Sequence, residues 1–236
     1  MAATITEQHE LRVEGMPTLE LRNFAGNVRV VAGAADQVTV IVTKRARGGI
    51  FGTASEADLG RVQVEVSQQG NTIHVETNKE GWSLIGKNVT VDFDITTPAA
   101  TTLDLQLNAG NATIDGIAGG IRAKVNAGNL DTRGATFASG SDLKLNAGNL
   151  TLHGALATGA SLDARVNAGN ARLFLSRDTN VYLDAQSVAG TVSVSGWRVN
   201  TTRDFARQSA SGPLGAQPSG TLHVRVDAGN ITVAAE

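Results

Sequence analysis

The tetrapeptide Asn-Ala-Gly-Asn occurs at Asn108–Asn111, Asn126–Asn129, Asn146–Asn149 and Asn167–Asn170, with successive copies starting 18, 20 and 21 residues apart. A near-copy is Asp227-Ala-Gly-Asn230, and a degenerate one is Val188-Ala-Gly-Thr191. Each copy ends one short alternating run and opens another. A fixed period of about 20 residues marks stacked units, each of which buries its apolar face only against its neighbours.

The flanking runs read as strands. Leu103, Leu105 and Leu107 precede the first corner, and Ala112 and Ile114 follow it. The pattern repeats with Ile121, Ala123, Val125 and Leu130, and with Leu143, Leu145, Leu150 and Leu152. It continues through Leu162, Ala164, Val166, Ala171 and Leu173, then Val181, Leu183, Ala185, Val192 and Val194, and closes with Leu222, Val224, Val226, Ile231 and Val233. Period-two alternation puts these side chains on one face and their polar neighbours on the other. Second corners are expected at Gly116, Gly134, Gly154 and Gly196. The rhythm fails between 202 and 220, where Ser, Gly, Pro and Gln dominate, so an exposed, mobile loop is expected there.

The corner chemistry follows from the backbone. A bend within two residues usually needs positive φ, which Gly110, Gly128, Gly148, Gly169 and Gly229 supply without a Cβ penalty. Asn111, Asn129, Asn149, Asn170 and Asn230 are the next most tolerant type, and a small Ala suits a crowded site. If corners stack at the strand spacing of about 4.8 Å, then Asn108, Asn126, Asn146 and Asn167, with Asp227 in the equivalent slot, form a column whose amides satisfy one another.

The first half lacks the full motif but carries an echo, Phe24-Ala-Gly-Asn27. Alternating runs at Val38–Val42, Val62–Val66, Ile73–Val75 and Val89–Ile95 predict strands, with a hairpin turn at Gln68-Gln69-Gly70-Asn71 and a boundary at Pro98. Loops are expected at 45–60 and 80–87. The expected fold is all-β: an N-terminal antiparallel sheet or sandwich cap over 5–97, leading into a β-solenoid over 98–236 as one continuous unit.

Composition narrows the function classes. Lys and Arg total 20 against 22 Asp and Glu, so no strong field for nucleic acid or a membrane surface is expected. No Cys is present, which removes disulfide and thiol chemistry. No stretch approaches the ~20 apolar residues of a membrane span and no leader opens the chain, so a cytoplasmic location is expected as written, with surface exposure if a leader was removed.

Repeated Leu/Val-Asn-Ala-Gly-Asn, led by Leu19-Glu-Leu-Arg-Asn-Phe-Ala-Gly-Asn-Val-Arg-Val30 and a Val91-Asp-Phe-Asp-Ile-Thr-Thr-Pro98 junction, resembles a bacterial β-strand-repeat family of unknown function. Its members are often labelled adhesins and are related to the toast-rack domains of cell-envelope stress proteins. The likeness covers about residues 18–233 and implies a β-repeat fold. The family offers no agreed catalytic motif to carry over.

Chemistry is sparse. Outward positions two before each corner read Gln106, Lys124, Lys144, Arg165, Gln186 and Arg225; those four before read Asp104, Arg122, Asp142, Asp163, Asp184 and His223. Stacked rungs would set a largely basic column beside a largely acidic one, each offsetting the other. As an alternative, Asp142, Asp163 and Asp184 could cluster as Ca²⁺ ligands of a polysaccharide-lyase-like enzyme, with Lys144 or Arg165 as proton acceptor. The four His residues, at 9, 74, 153 and 223, lack zinc-site spacing, and no nucleophile-elbow or phosphate-loop motif occurs. Trp82 and Trp197 read as partial core rather than sugar platforms. The expectation is a non-enzymatic module without metal or cofactor, presenting a ladder surface formed by Lys124, Asp142, Lys144, Asp163, Arg165 and Asp184 to a protein or glycan. Edge-to-edge self-association is expected at an uncapped C-terminal rung ending at Glu236. An envelope-stress sensor is a third alternative, by family analogy.

Overall fold

The computed structural model describes residues 3–47, 59–60, 62–78 and 88–236. The expected loops at 45–60 and 80–87, Trp82 included, lie outside the described residues except for 45–47 and 59–60. Strand β4 runs through 45–47.

The chain opens with β1 (Ala3–Arg12), β2 (Thr18–Ala25), β3 (Val28–Gly33) and β4 (Gln37–Arg47). The pair β5 (Val64–Gln69) and β6 (Thr72–Thr77) precedes β7 (Asn88–Pro98). Rungs of two strands then follow: β8 (Thr102–Ala109) with β9 (Ala112–Asp115), and, after the short β10 (Ala118–Gly119), β11 (Ile121–Ala127) with β12 (Leu130–Phe137). The next are β13 (Ser141–Ala147) with β14 (Leu150–Leu156), β15 (Ser161–Ala168) with β16 (Ala171–Leu175), and β17 (Val181–Ala189) with β18 (Val192–Ser195). A hairpin, β19 (Asn200–Arg203) and β20 (Gln208–Leu214), leads to the last rung, β21 (Gly220–Ala228) with β22 (Ile231–Ala235). The protein is all-β, as the alternation predicts.

These strands form two eleven-stranded sheets. Neighbouring rungs pair in parallel, the first strand of each rung in one sheet and the second in the other, which makes a flattened two-sheet solenoid. The inward column Leu21, Leu105, Ala123, Leu143, Ala164, Val224, Ala185 crosses the stack with every member buried. Mixing large and small side chains down one column lets the facing sheets interdigitate. Of the polar residues that interrupt inward columns, Ser187 Oγ donates to the Gly229 carbonyl at 2.8 Å and Ser141 Oγ to that of Ala138 at 2.7 Å, whereas Thr132, between Ile114 and Leu152, is buried with its hydroxyl unpartnered.

Three features go beyond what the alternation predicts. Strands on both sides of residue 98 belong to each sheet, β2 pairing in parallel with β8 and β3 with β9, so the Phe24–Asn27 corner opens the stack. Antiparallel pairing is confined to flanking strands such as β1–β4, β4–β7 and β5–β6.

The second feature is at 202–220, which is not a loop throughout. Residues 208–214 form β20, antiparallel to β17, with Ala210 and Leu214 fully buried. Small inward residues and a Pro hid this strand. Pro213 lies opposite Tyr182 of β17 and beyond the last β19 partner, Ser211, on the open side of the sheet where Pro is tolerated.

Third, spatial order is not chain order. The last rung enters between its predecessors, β21 lying between β15 and β17 and β22 between β16 and β18. The C-terminal rung is therefore interior, and Glu236 does not mark an open edge. The ends of the two sheets are β1 and β18, and β5 and β19.

Intercalation makes the last rung a structural requirement. Leu222→Ala, at a fully buried position, is expected to cost about 2–5 kcal/mol by urea denaturation, well above Val194→Ala on edge strand β18. Removing residues 220–236 is expected to abolish a single cooperative melt, and an unchanged melt would contradict the arrangement.

Candidate functional site

The corners generate every outward column, and their spacing is set by backbone contact. Gly148 has φ +139°, and a Cβ there would lie 1.7 Å from the Gly128 carbonyl oxygen. The same overlap with the neighbouring corner glycine, at 1.6–1.9 Å, recurs at Gly110, Gly128, Gly169 and Gly229, and at Gly26 the carbonyl met is that of Val91, at 2.1 Å. Glycine is thus required twice over, by conformation and by close approach. The crowding falls on Gly rather than on Ala, because Ala109, Ala127, Ala147, Ala168 and Ala228 are exposed. Among the expected second corners, Gly154 instead lies inside β14 without positive φ.

Two amide ladders flank the glycines. In the first, Nδ2 of Asn167 donates to Asn146 Oδ1 at 3.1 Å, Asn146 to Asn126 at 2.9 Å, and Asn126 to Asn108 at 2.6 Å. In the second, Asn111, Asn129, Asn149, Asn170 and Asn230 each donate both the backbone N–H and Nδ2 to the Oδ1 of the Asn one rung before, starting from Asn27. Thr191 closes that ladder by donating N–H and Oγ1 to Asn230. At its other end the Asn27 N–H donates to Asp92 Oδ1 at 2.7 Å, and Asp92 also pairs with Arg45. Asp227, in the slot beyond Asn167, turns to Arg225 Nε at 3.1 Å instead.

The charged columns sit on the outward face of the sheet that contains β11, β13 and β15. Lys124, Lys144, Arg165 and Arg225 occupy four consecutive strands, continuing to Gln186. The neighbouring column runs Arg122, Asp142, Asp163, His223, Asp184. Pairs two residues apart neutralise one another: Lys144 with Asp142, and Arg165 with Asp163 at 3.6 Å. Exposed pairs of this kind are worth about 0–1 kcal/mol each, so they keep like charges tolerable rather than hold the fold. Asp142 Oδ1 is buried without a hydrogen-bond partner.

The three-carboxylate cluster of the alternative reading is not assembled. His223 stands between Asp163 and Asp184, 3.7 Å from the latter, because β21 enters between β15 and β17. Among the described residues no three His, Cys, Asp or Glu come close enough to hold a metal ion. The surface there is a shallow hollow of about 210 Å³ bounded by Asp163, Arg165, Asp184, Gln186, His223 and Arg225. On the opposite sheet Arg133 has its pKa raised, mainly by the hydrogen bond it donates to Asp131. Trp197 packs partly buried against the core, and His153 stacks on Phe174 and bonds Glu236 at 2.7 Å.

Sequence reasoning did not single out Asn27, Asp92 or Thr191 as ladder ends, nor a second hollow of about 280 Å³ lined by Arg22, Phe24, Glu76, Gln106 and Asn108 among others. The echo motif at Phe24 was the available signal for both. Asp92 had none, being 65 residues from the corner it closes.

The profile of the family described as Toastrack DUF4097 matches residues 18–234, nearly the whole chain. The protein belongs to the Toastrack family. No curated protein matches this Toastrack chain. Solved structures similar to it include a putative cell adhesion protein from Clostridium sporogenes, 13% identical with TM-score 0.49, over 98% of this chain and 100% of that one. A putative adhesin from Bacteroides fragilis is 12% identical with TM-score 0.37, over 97% of each chain. A putative lipid binding protein from Parabacteroides distasonis is 9% identical with TM-score 0.23, over 98% and 97% respectively.

The close approach at the corners predicts a sharp contrast between glycines. Gly148→Ala is expected to cost upwards of about 4 kcal/mol, because neither backbone can give way. Gly134→Ala is expected to cost only about 1–2 kcal/mol for its left-handed φ, since a Cβ there meets nothing within 4 Å. Equal losses in chemical denaturation would refute the stacked-corner geometry.

Proposed function

We propose that this Toastrack chain is a non-enzymatic, adhesin-like scaffold that presents the outward face around β11, β13, β15 and β21 to a protein or glycan partner. What most supports this is the regularity of that face. Four cations stand on consecutive strands beside an amide ladder. Each interior strand is paired on both sides, so the groups are held at fixed spacing before any partner arrives, and preorganisation of this kind lowers the ordering cost of binding.

The test is a glycan and protein array probed with the purified chain and with a Lys124→Gln, Lys144→Gln, Arg165→Gln variant. The variant is expected to melt as the wild type does and to lose at least about tenfold in binding; retained binding would remove this face from the function. The competing carbohydrate-active reading is tested alongside. The melt is expected to be indifferent to calcium and chelator, and turnover of an acidic polysaccharide lost on Asp163→Ala would replace the scaffold with an enzyme.

Self-association belongs to the same class of partner. Strand β1 is ten residues long and, among the described residues, pairs on one side only, with β4. Such an edge is a template for a second strand. Light scattering over a concentration series tests it, and a mass that stays monomeric excludes pairing through β1.

A further inference from the structure

The two amide ladders run the same way but end differently. In both, the donors point toward the Phe24–Asn27 corner. Head-to-tail amides polarise one another, so the terminal donor of such a row is stronger than an isolated amide. In the second ladder it is the backbone N–H of the last member, Asn27, that meets a carboxylate: Asp92 accepts it and pairs with Arg45. The first ladder reaches Asn108, whose Nδ2 finds no acceptor among the described residues, because the next rung carries Phe24 where the motif has Asn.

Beside that open end lies the hollow of about 280 Å³. Its inner polar groups are already engaged: Asn23 Nδ2 donates to the Val91 carbonyl at 2.8 Å, and Thr77 Oγ1 accepts the Phe24 N–H at 3.1 Å. Arg22, Gln106 and Glu76 line the rim, and Arg22 has no ion pair among the described residues. An open amide donor and a guanidinium on one hollow, with Glu76 opposite Arg22 on β6, parallel the backbone N–H and guanidinium that Asp92 satisfies on the other side of the glycines.

We propose that this hollow binds a carboxylated sugar residue, a uronate within an acidic glycan. The ligand carboxylate accepts from Asn108 Nδ2 and Arg22, as Asp92 accepts from Asn27 and Arg45. Gln106 and Glu76 exchange hydrogen bonds with ring hydroxyls. A polymer of such residues is favoured over a lone carboxylate by the continuation of the Gln106 column into Lys124 and Lys144, one strand further at each step. This assignment rests on the scaffold reading above and gives it a ligand class and a site.

The experiment is calorimetric titration of trigalacturonate and of its methyl ester, in buffer treated with chelator, into wild type, Phe24→Asn and Arg22→Gln. Phe24→Asn restores the corner motif and gives Asn108 an internal acceptor. It is expected to melt no lower than wild type and to lose at least about tenfold in trigalacturonate affinity, the scale of one charge-assisted hydrogen bond. Wild type is expected to bind the acid at least about tenfold tighter than the ester by the same criterion, and Arg22→Gln to erase that preference. If Phe24→Asn melts lower, Arg22→Gln alone decides. Absence of trigalacturonate binding to wild type, equal affinity for acid and ester, or undiminished binding by Arg22→Gln or by a stably folded Phe24→Asn overturns the assignment. The scaffold reading is judged separately by the array and its sheet-face variant, and it survives if a ligand binds there while this hollow stays empty.

Discussion

One contact governs the molecule: the packing of each corner glycine against the carbonyl of the glycine beneath it. From Gly110 to Gly229 a Cβ would fall 1.6–1.9 Å from that oxygen, so the rungs approach as closely as backbone allows. The Gly N–H also donates to the Ala carbonyl of the neighbouring rung, at 2.9 Å for Gly110, Gly128, Gly148 and Gly169. With the corner pinned at both levels, the strands leaving it have no freedom of register. A one-residue slip would turn every buried side chain outward. The columns of Asn, of cations and of carboxylates are consequences of this one alignment.

Much of this was legible because the corner is chemically demanding. Few residues tolerate positive φ under a backbone ceiling, so the motif repeats almost letter for letter, and the strands between it can be read from alternation alone. Stacking order was not legible. Corners at Asp227 and Asn170 are compatible neighbours whichever rung lies between them in the chain, so sequence order gives no warning that β21 and β22 fill a gap. A physical clue does exist in retrospect. Thr191 has no amide with which to extend the ladder, so the degenerate corner suits the end of a stack, and there it lies beyond Asn230. Strand β20 was hidden for a different reason: Ala210 and Gly212 face inward where space is small, and neither carries a strand-forming signature.

The misplacement of the acidic column has the same root. Reading Asp163 and Asp184 as neighbours assumed that chain order is spatial order. Intercalation puts His223 between them, and the groups that meet are Asp142 with Lys144 and Asp184 with His223. The face is thereby charged but locally balanced, which suits a contact surface and leaves no concentrated field to bind a divalent ion.

A face built by repetition has an inherent weakness as a recognition surface. Lys124, Lys144 and Arg165 with their neighbouring amides present nearly the same chemistry at each step, so an extended ligand gains little by occupying one register over another. Specificity needs a place where the repetition stops. The structure has two such places at the first corner, and they differ. Asp92 takes the backbone N–H at the end of one ladder, whereas Phe24 leaves the end of the other beside a hollow lined by Arg22. A ligand end held there would fix the register of everything that follows along the sheet. The substitution that breaks the motif is therefore the position at which a uniform scaffold can become a selective one.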